Sequence, residues 1–427
     1  MRLKIKHISL LTALLCSIAA LPAKSQEAAD TTDCEIRVAP QIEFSDEDFD
    51  IIPSFIRQGS NHIEMNGTDW HSLRDKAAAT DSLTMTIVHI GDSHIQADFA
   101  TGKTRSLMQA QYGNAGRGLI VPLKLAGTNE PRDYLIKSET KWHGSKLMKR
   151  SENVALGFTG VGIAPECDST RLTVATLSRT GNAEQFNTLK IYHCGTLFID
   201  SISAGDRAIA FSATHTDSVT TVTLPDPETE VTLAFNTAPG TSISGIVLSN
   251  GNKGGVLYHA IGNNGATFHS YNSLPENCRR LGDISPDLII VSLGANEAFG
   301  KQTADEIYES IDAFVKRMKH CYPESDILLT TPMECQKSTR VRVKGKRRTR
   351  RTYAVNDKIL TVRNVILKYC RDHDVPVYDW YEVAGGTGAS RQWVKEGLMA
   401  KDRIHHSYKG YRLHGSLLYD ALKNSLQ

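Results

Sequence analysis

Hydrophobic residues along the chain gather into five short runs in which almost every position is apolar. A run of this kind is typical of a β-strand that is covered on both faces, as in a parallel sheet. The sequence therefore predicts five buried strands. They are the run that ends at Ser93, "GVLYHAIG" from Gly255, "DLIIVSLG" from Asp287, "DILLTTP" from Asp326 and "VPVYDWY" from Val375.

Between these runs the pattern changes to the spacing of amphipathic helices. In residues 303–320, for example, Ile307, Ile311 and Phe314 fall three and four positions apart, which gives one apolar face. Alternating strands and helices predict an α/β fold, with a parallel sheet between two layers of helices. The predicted helices are residues 69–79, 99–112, 303–320, 352–373 and 409–426.

Residues 130–250 interrupt this alternation with short segments in which apolar and polar positions alternate, such as "RLTVATLS" and "EVTLAF". Turn residues separate the segments, and the pattern is typical of a β-sandwich. We therefore expect a β domain inserted between a first core part, residues 81–129, and a second, residues 251–427. A leader with a short helix, residues 26–80, precedes the core; its acidic first part is expected to pack loosely.

The first 25 residues have the features of a secretory signal peptide: a basic start, an apolar centre and a small-residue cleavage site that ends at Ser25. We expect the mature protein to be periplasmic or secreted. Of the 49 lysines and arginines, four lie in this peptide, so 45 face the 47 acidic residues in the mature chain. That balance predicts neither nucleic-acid binding nor membrane insertion.

Cysteines offer no metal or redox motif. The seven that remain after cleavage are an odd number, so at least one thiol stays unpaired even if disulfides form, and the pairing is left open. Their spacings match no zinc site, and the chain has neither an HExxH motif nor an acidic calcium loop. We predict no metal and no cofactor. The cysteines are Cys34, Cys167, Cys194, Cys278, Cys321, Cys335 and Cys370.

A strongly basic segment, "RVRVKGKRRTRR" from Arg340 to Arg351, carries eight basic residues in twelve. Most such runs are solvated and mobile. This one follows the strand that ends at Pro332, on the side where open α/β sheets bind their ligands. Contact with an anionic polymer is therefore the second hypothesis for this loop.

Four short polar blocks follow the predicted strands or precede the last helix. The first three lie just beyond the carboxyl ends of the first, second and third core strands, and those ends share one edge of a parallel sheet. The sequence therefore predicts that the blocks converge there. They are "GDSH" at 91–94, "NNGAT" at 263–267, "LGANE" at 293–297 and "DRIH" at 402–405.

Together the blocks supply the groups that acyl transfer needs. A serine hydroxyl becomes a nucleophile when an imidazole held by a carboxylate takes its proton, which Ser93, His405 and Asp402 could provide. The oxyanion that forms needs preset donors, for which the backbone N–H groups of Ser93 and Gly265 and the side-chain amide of Asn296 are candidates. Each residue also has a structural explanation: Ser93 and Asn296 could cap helices, and Gly265 could form a turn.

The four blocks resemble those of the SGNH (GDSL-like) hydrolase superfamily. Gly91-Asp92-Ser93 matches its nucleophile block, Gly265 its glycine, Gly294-x-Asn296 its asparagine block, and Asp402-x-x-His405 its acid and base block. The resemblance implies a three-layer α/β/α core of flavodoxin-like type and ester hydrolysis without a metal, through an acyl-enzyme. It implies catalytic roles for Ser93, Asp402 and His405 and an oxyanion hole formed by Ser93, Gly265 and Asn296.

The chain departs from the family pattern at positions that leave the substrate open. His94 replaces a leucine, Glu297 stands where aspartate is often found, and His406 stands where proline is common. A narrower resemblance rests on the order of segments: a signal peptide, "GDSHIQADF", "GNAGRGL" and an inserted β-sandwich before "YHAIGNNGAT". This arrangement is similar to that of periplasmic peptidoglycan O-acetylesterases, whose inserted module resembles a carbohydrate-binding domain.

We therefore expect an exported esterase that removes O-acetyl groups from a carbohydrate polymer such as peptidoglycan. A lipase, a thioesterase or a glycan O-acetyltransferase with the same fold remains an alternative. An alternative of another class is a non-catalytic glycan-binding protein, in which aromatic residues of the insertion, Trp142 and Tyr192 among them, would stack on sugars.

Overall fold

The computed structural model describes residues 52–178, 183–342 and 349–427. These residues belong to one compact unit. The predicted signal peptide, Cys34 and the start of the leader lie outside the described residues, as does the centre of the basic segment. Within the described part of the chain, no helix is long and apolar enough to cross a bilayer.

The chain forms twenty strands and nine α-helices within the described residues. The strands are β1 (Ile63–Glu64), β2 (Thr84–Gly91), β3 (Gly118–Ile120), β4 (Tyr134–Lys137), β5 (Trp142–Lys146), β6 (Val161–Pro165), β7 (Ser169–Thr176), β8 (Phe186–Cys194), β9 (Leu197–Ala204), β10 (Arg207–Ile209), β11 (Ser212–His215), β12 (Val219–Glu228), β13 (Glu230–Thr237), β14 (Ser242–Ser249), β15 (Gly255–Gly262), β16 (Leu288–Ser292), β17 (Asp326–Thr330), β18 (Gln336–Arg342), β19 (Thr349–Val355) and β20 (Val377–Tyr378). The helices are α1 (His71–Ala78), α2 (Ser93–Gln96), α3 (Phe99–Tyr112), α4 (Phe268–Asn272), α5 (Ala304–Cys321), α6 (Lys358–Asp372), α7 (Trp380–Val383), α8 (Ala389–Lys395) and α9 (Tyr408–Ser425).

The five predicted core strands pair side by side in one sheet, in the order β15-β2-β16-β17-β20. All four pairings are parallel. Counted along the chain, this order is 2-1-3-4-5, the flavodoxin-like arrangement, in which ligands bind at the carboxyl edge between the first and third strands. The α/β fold class is therefore confirmed, and the ends of β2 and β16 meet where the order reverses.

Helices cover the sheet as the amphipathic pattern predicts. α3 packs against α9, while α5 packs against both α4 and α6. In α5 the residues at the predicted spacing, Ile307, Ile311 and Phe314, are fully buried. One boundary differs: the helix expected from residue 352 begins at Lys358, because residues 349–355 form strand β19 instead.

The end of the leader is better packed than its composition suggested. β1 pairs with β20 antiparallel and adds a sixth strand to the core sheet. Ile56, ahead of this strand, and Ile63, within it, are buried in the hydrophobic core. The loose packing expected for the acidic first part of the leader, residues 26–60, therefore does not extend to Ile56.

Two antiparallel sheets occupy the segment proposed as an inserted β domain. Their strand orders are β10-β9-β13-β7-β4 and β11-β12-β8-β14-β6-β5, and β3 pairs with β14 as well. The antiparallel pairing thus begins at Gly118, earlier than the expected residue 130. The apolar sides of the alternating segments pack inwards, as with Val231, Leu233 and Phe235 on β13.

The aromatic residues suggested for sugar stacking lie inside this insertion. Trp142 is 8% exposed and packs its ring against that of Phe235. Tyr192 is 3% exposed, and its hydroxyl donates a hydrogen bond to Asp283 over 2.6 Å. Both rings are too buried to stack on a sugar in this conformation, which removes the support that they lent to the alternative of a non-catalytic glycan-binding protein.

The described cysteines include five free thiols: Cys167, Cys194, Cys321, Cys335 and Cys370. Cys335 and Cys370 are buried, and burial raises the pKa of the Cys335 thiol to about 12. A thiol with such a pKa is a poor nucleophile and a poor metal ligand at neutral pH.

Candidate active site

Ser93 lies where strand β2 turns sharply into helix α2. The turn is so tight that it requires glycine at position 91. A Cβ there would overlap the side chain of Ile95 and the carbonyl oxygen of Ser292. Asp92 caps the short helix, since its carboxylate accepts a hydrogen bond from the backbone N–H of His94 over 2.9 Å. Ser93 therefore begins the helix while its side chain is left available for other contacts.

Ser93, His405 and Asp402 form a continuous hydrogen-bond chain. Ser93 Oγ lies 2.8 Å from His405 Nε2, and His405 Nδ1 lies 2.6 Å from Asp402 Oδ2. Burial alone would raise the pKa of Asp402, but the hydrogen bond and charge of His405 outweigh burial and lower that pKa to about 2. The ionised carboxylate can only accept, so Nδ1 carries the proton and Nε2 is free to accept the Ser93 hydroxyl proton.

The local turn from Asp402 to His405 positions both residues. Asp402 Oδ1 accepts hydrogen bonds from the backbone N–H groups of Ile404 and His405, at 2.9 and 3.1 Å. Arg403 has a φ of +61°, a left-handed conformation that folds the chain back between them. The Arg403 guanidinium lies 3.8 Å from the centre of the Tyr353 ring. His405 and Asp402 are therefore held by one turn, which contacts β19 through Arg403 and Tyr353.

The two backbone N–H groups expected as oxyanion donors have no hydrogen-bond partner among the described residues. In the described part of the chain, the N–H groups of Ser93 and Gly265 make no hydrogen bond to other protein groups. Gly265 has a φ of +79°, which favours glycine, and it is the residue of the block after β15 that the sequence singled out. Unpaired N–H groups of this kind are available to bind an oxyanion without first breaking another bond.

Asn296, the third expected donor, is already engaged. Its side-chain amide donates to Asp92 Oδ2 and to the carbonyl oxygen of Ala266, both over 3.0 Å. The amide thereby ties the nucleophile block to the block that contains Gly265. Because the amide has only two hydrogens, it must exchange one of these bonds before it can donate to an oxyanion.

The imidazoles around the site are held neutral. Burial, followed by the nearby charge of His405, lowers the pKa of His94 to about 3. The His94 ring lies 5.1 Å from that of His405, and its Nδ1 lies 3.1 Å from the Tyr411 hydroxyl. Burial also lowers the pKa values of His406 and His414 well below their usual range. These rings shield His405 from water without adding charge.

The other positions that depart from the family pattern are buried beside the site. Glu297 is 1% exposed, and one of its oxygens accepts a hydrogen bond from the Phe268 N–H over 2.8 Å. Burial raises the pKa of Glu297 to about 7 and that of Asp92 to about 6. His406 packs its ring 4.8 Å from that of Trp393. Glu297 and His406 therefore pack against neighbouring loops and helices of the core.

One residue near the site escaped the sequence analysis. Met148, in the loop between β5 and β6, is 52% exposed, and a Cβ on Gly265 would lie 3.8 Å from its Cγ. The insertion thus contributes an apolar side chain beside a candidate oxyanion donor. Nothing in the local sequence marks Met148, because only the packing of the insertion on the core brings it there.

Comparisons with known proteins agree with this fold. Residues 237–413 match the model of the GDSL-like lipase/acylhydrolase family. That range contains Gly265, Asn296, Asp402 and His405, whereas Ser93 lies before it. Comparison with curated proteins finds no matching sequence.

Among solved structures, a peptidoglycan O-acetylesterase aligns over 85% of this chain and 97% of its own, with a TM-score of 0.66 and 20% sequence identity. A lipase/acylhydrolase from Enterococcus faecalis aligns over 40% of this chain and 77% of its own, with a TM-score of 0.28 and 21% identity. The family model thus covers the second part of the core, and the likeness to the peptidoglycan O-acetylesterase shows a shared fold. In overall architecture, insertion included, this chain resembles the peptidoglycan O-acetylesterase.

Proposed function

We propose that the protein is an exported serine esterase that removes O-acetyl groups from a carbohydrate polymer, with peptidoglycan as the polymer. The observation that carries this proposal is the hydrogen-bond chain from Ser93 through His405 to Asp402 at the carboxyl edge of the sheet. The predicted signal peptide would deliver the enzyme to the compartment that contains the polymer. The structural likeness to a peptidoglycan O-acetylesterase supports the choice of polymer.

The reaction would proceed in two halves. In the first, His405 Nε2 takes the Ser93 proton while Oγ attacks the acetyl carbon, and the resulting tetrahedral intermediate collapses by breaking the bond to the sugar oxygen. His405 returns its proton to that oxygen, so the free sugar hydroxyl leaves and acetyl-Ser93 remains. In the second half, water attacks the acetyl carbon with the same base, which releases acetate and restores Ser93.

The oxyanion of each intermediate would be bound by the N–H groups of Ser93 and Gly265. Both lack partners among the described residues, so they need not break an existing bond to donate. Asn296 would join them after exchanging its bond to Asp92 or to Ala266. Asp402 stays ionised and stabilises the imidazolium that forms in each half-reaction.

The insertion is proposed to position the polymer beside the cleft. Support comes from Met148, which the insertion places next to Gly265. A glycan that lies along the insertion would thus pass the oxyanion site. A purely glycan-binding function receives less support, because Trp142 and Tyr192 are buried and a binding module has no need of the Ser93–His405 pair.

The test is acetate release from O-acetylated peptidoglycan compared with O-acetylated xylan, with Ser93→Ala as the inactive control. We expect the wild-type enzyme to release acetate from peptidoglycan and Ser93→Ala to release none above background. Addition of an acceptor glycan separates hydrolysis from transfer, because a transferase would release less free acetate. Near wild-type acetate release by Ser93→Ala would disprove the mechanism.

A further inference from the structure

The two described ends of the basic segment belong to strands β18 and β19, which follow β17 and precede α6. Within the described residues, these two strands form a separate antiparallel sheet and pair with no other strand. Residues 336–355, here called the arm, contain nine lysines and arginines and no acidic residue. A two-stranded ribbon is marginally stable by itself, and concentrated like charge weakens it further. The composition of the arm therefore points to a role outside its own folding.

The register of the two strands separates the basic residues onto two faces. Arg340 lies directly opposite Arg351, and Ser338 lies opposite Tyr353, so these four side chains share one face. Arg342 is on the same face, because side chains two residues apart point to the same side. Arg340 and Arg351 are both exposed and lie opposite each other on neighbouring strands. Like charges in this arrangement repel each other and destabilise the pair of strands. We call this side of the hairpin the arginine face.

The arginine face continues directly into the turn that carries the candidate base. Tyr353, on this face, donates a hydrogen bond from its hydroxyl to the carbonyl oxygen of Lys401 over 3.0 Å. Its ring also lies beneath the guanidinium of Arg403. At the base of the arm, the backbone N–H of Gln336 donates to the carbonyl oxygen of Arg403 over 2.9 Å. A chain lying on the arginine face would therefore run towards the Asp402–His405 turn.

The opposite face of the arm meets the other side of the cleft. Lys337 and Arg350 lie on it, and the Lys337 ammonium is 5.8 Å from the centre of the Phe299 ring. Phe299 follows Asn296 in the loop after β16. The arm is thus rooted between the loop that holds a candidate oxyanion donor and the loop that holds the base.

We propose that the arginine face binds carboxylate groups of an anionic glycan polymer and holds the polymer against the catalytic turn. The inference rests on the proposed function and narrows its substrate: the polymer carries carboxylates, as peptidoglycan does on its peptides, and a neutral acetylated glycan lacks the matching charge. Arginine suits this role because its planar guanidinium can pair with a carboxylate through two parallel hydrogen bonds. Closely spaced arginines that repel one another become favourable once anionic groups lie between them.

The test compares two double variants that remove the same charge from opposite faces. Arg340→Gln with Arg351→Gln alters the arginine face, and Lys337→Gln with Arg350→Gln is the matched control. We expect the first pair to lower kcat/KM on O-acetylated peptidoglycan about tenfold, as two exposed ion pairs would, and the control to lower it less than about threefold. Both should hydrolyse a soluble chromogenic acetyl ester at a rate close to that of the wild type.

Binding can be measured without turnover, which keeps this inference separate from the proposed function. Ser93→Ala is sedimented with insoluble, de-O-acetylated peptidoglycan, with and without the arginine-face substitutions. We expect those substitutions and added salt to reduce the bound fraction, since salt screens exposed charges. If wild-type enzyme releases no acetate from peptidoglycan but this binding persists, the proposed function fails and the polymer site stands.

Three results would overturn the inference. Equal losses from both double variants would mean that only net charge matters. Equal loss on acetylated xylan would mean that carboxylates are not recognised. Binding to vesicles of phosphatidylcholine and phosphatidylglycerol that needs Arg340 and Arg351, with peptidoglycan binding unchanged, would assign the face to a membrane surface.

Discussion

Asp402 holds His405 at two points, through the imidazole Nδ1 at 2.6 Å and through the backbone N–H at 3.1 Å. One carboxylate thereby fixes both the tautomer of the ring and the position of its backbone. The Asp402 side chain does this although it is 39% exposed, and it belongs to the same turn as His405. This arrangement makes the role of Asp402 testable by a nearly isosteric change.

Asp402→Asn should preserve the turn and remove activity. The amide oxygen can still accept from the backbone, but the amide nitrogen would donate to Nδ1, which moves the imidazole proton to Nε2 and leaves no acceptor for Ser93. We expect kcat on a chromogenic acetyl ester to fall by a factor of about 10³ to 10⁴. Circular dichroism should show an unchanged fold, and kcat within tenfold of wild type would contradict the proposed triad.

Asn296→Ala separates a donor from a residue that only ties two loops together. If its amide turns to the oxyanion, kcat should fall by a factor of about 10² to 10³ with little change in KM. If it only links Asp92 to Ala266, the melting temperature should fall and KM should rise while kcat changes little. Steady-state kinetics with a thermal melt decides between the two results.

Gly265→Ala tests the backbone donor. The φ of +79° is unfavourable for alanine, so the variant should lose about 1 kcal/mol of unfolding free energy. Any shift that relieves this strain would also move the N–H, so kcat should fall about tenfold or more. Gly240→Ala is the matched control, because its φ is +83°, a Cβ there would meet no neighbour within 4 Å, and it lies in the insertion. A similar loss of kcat in both variants would argue against a donor at Gly265.

Glu297→Gln should change how stability depends on pH. Burial raises the pKa of Glu297 to about 7, so the folded state binds this proton more tightly than the unfolded state, whose glutamate pKa is about 4.3. The protonated carboxyl therefore contributes its full stabilising effect below the unfolded pKa, and this contribution is lost as the pH rises through about 7. The glutamine side chain cannot ionise, so the variant does not lose this stability. Its free energy of unfolding, relative to that of the wild type, should rise by up to about 3 kcal/mol between pH 4.5 and pH 8.

Urea unfolding at several pH values measures that difference directly. Glu306→Gln serves as a control, because Glu306 is an exposed capping residue at the start of α5. Hydrogen bonds with Thr303 lower the pKa of Glu306, so its ionised form stabilises the fold. The unfolding free energy of Glu306→Gln relative to wild type should therefore not rise over this range. A Glu297→Gln difference that stays constant with pH would show that the carboxyl titrates normally in the folded protein.

The core sheet was predictable because its strands are buried on both faces. Runs such as "DLIIVSLG" carry that information within eight residues, and the order of the four blocks then indicated one shared edge. β18 and β19 were missed for the opposite reason. Most of their residues are exposed, and the short alternation in "RVRV" lies within a run of basic residues that is also typical of a charged loop.

The finer features of the site depend on contacts between distant segments. The sequence suggested Asn296 as a donor, but its bonds to Asp92 and Ala266 join residues 204 and 30 positions away. Met148 reaches Gly265 only through the packing of the insertion on the core. Periodicity and motif spacing describe local structure, so they could not supply either contact.

The pairing of β3 with β14 bears on how the chain folds. Ile120 lies opposite Ile246, so the insertion enters and leaves the core through neighbouring strands. Without that pairing, β2 and β15 could meet only after a long, flexible loop had closed, at a cost in entropy that grows with loop length. Once the insertion has folded, the β3–β14 pairing holds the two ends of the insertion close together. An unstructured loop of this length would slow the association of β2 and β15. A folded insertion whose ends are paired avoids that delay, so a large insertion can be accommodated between these two strands.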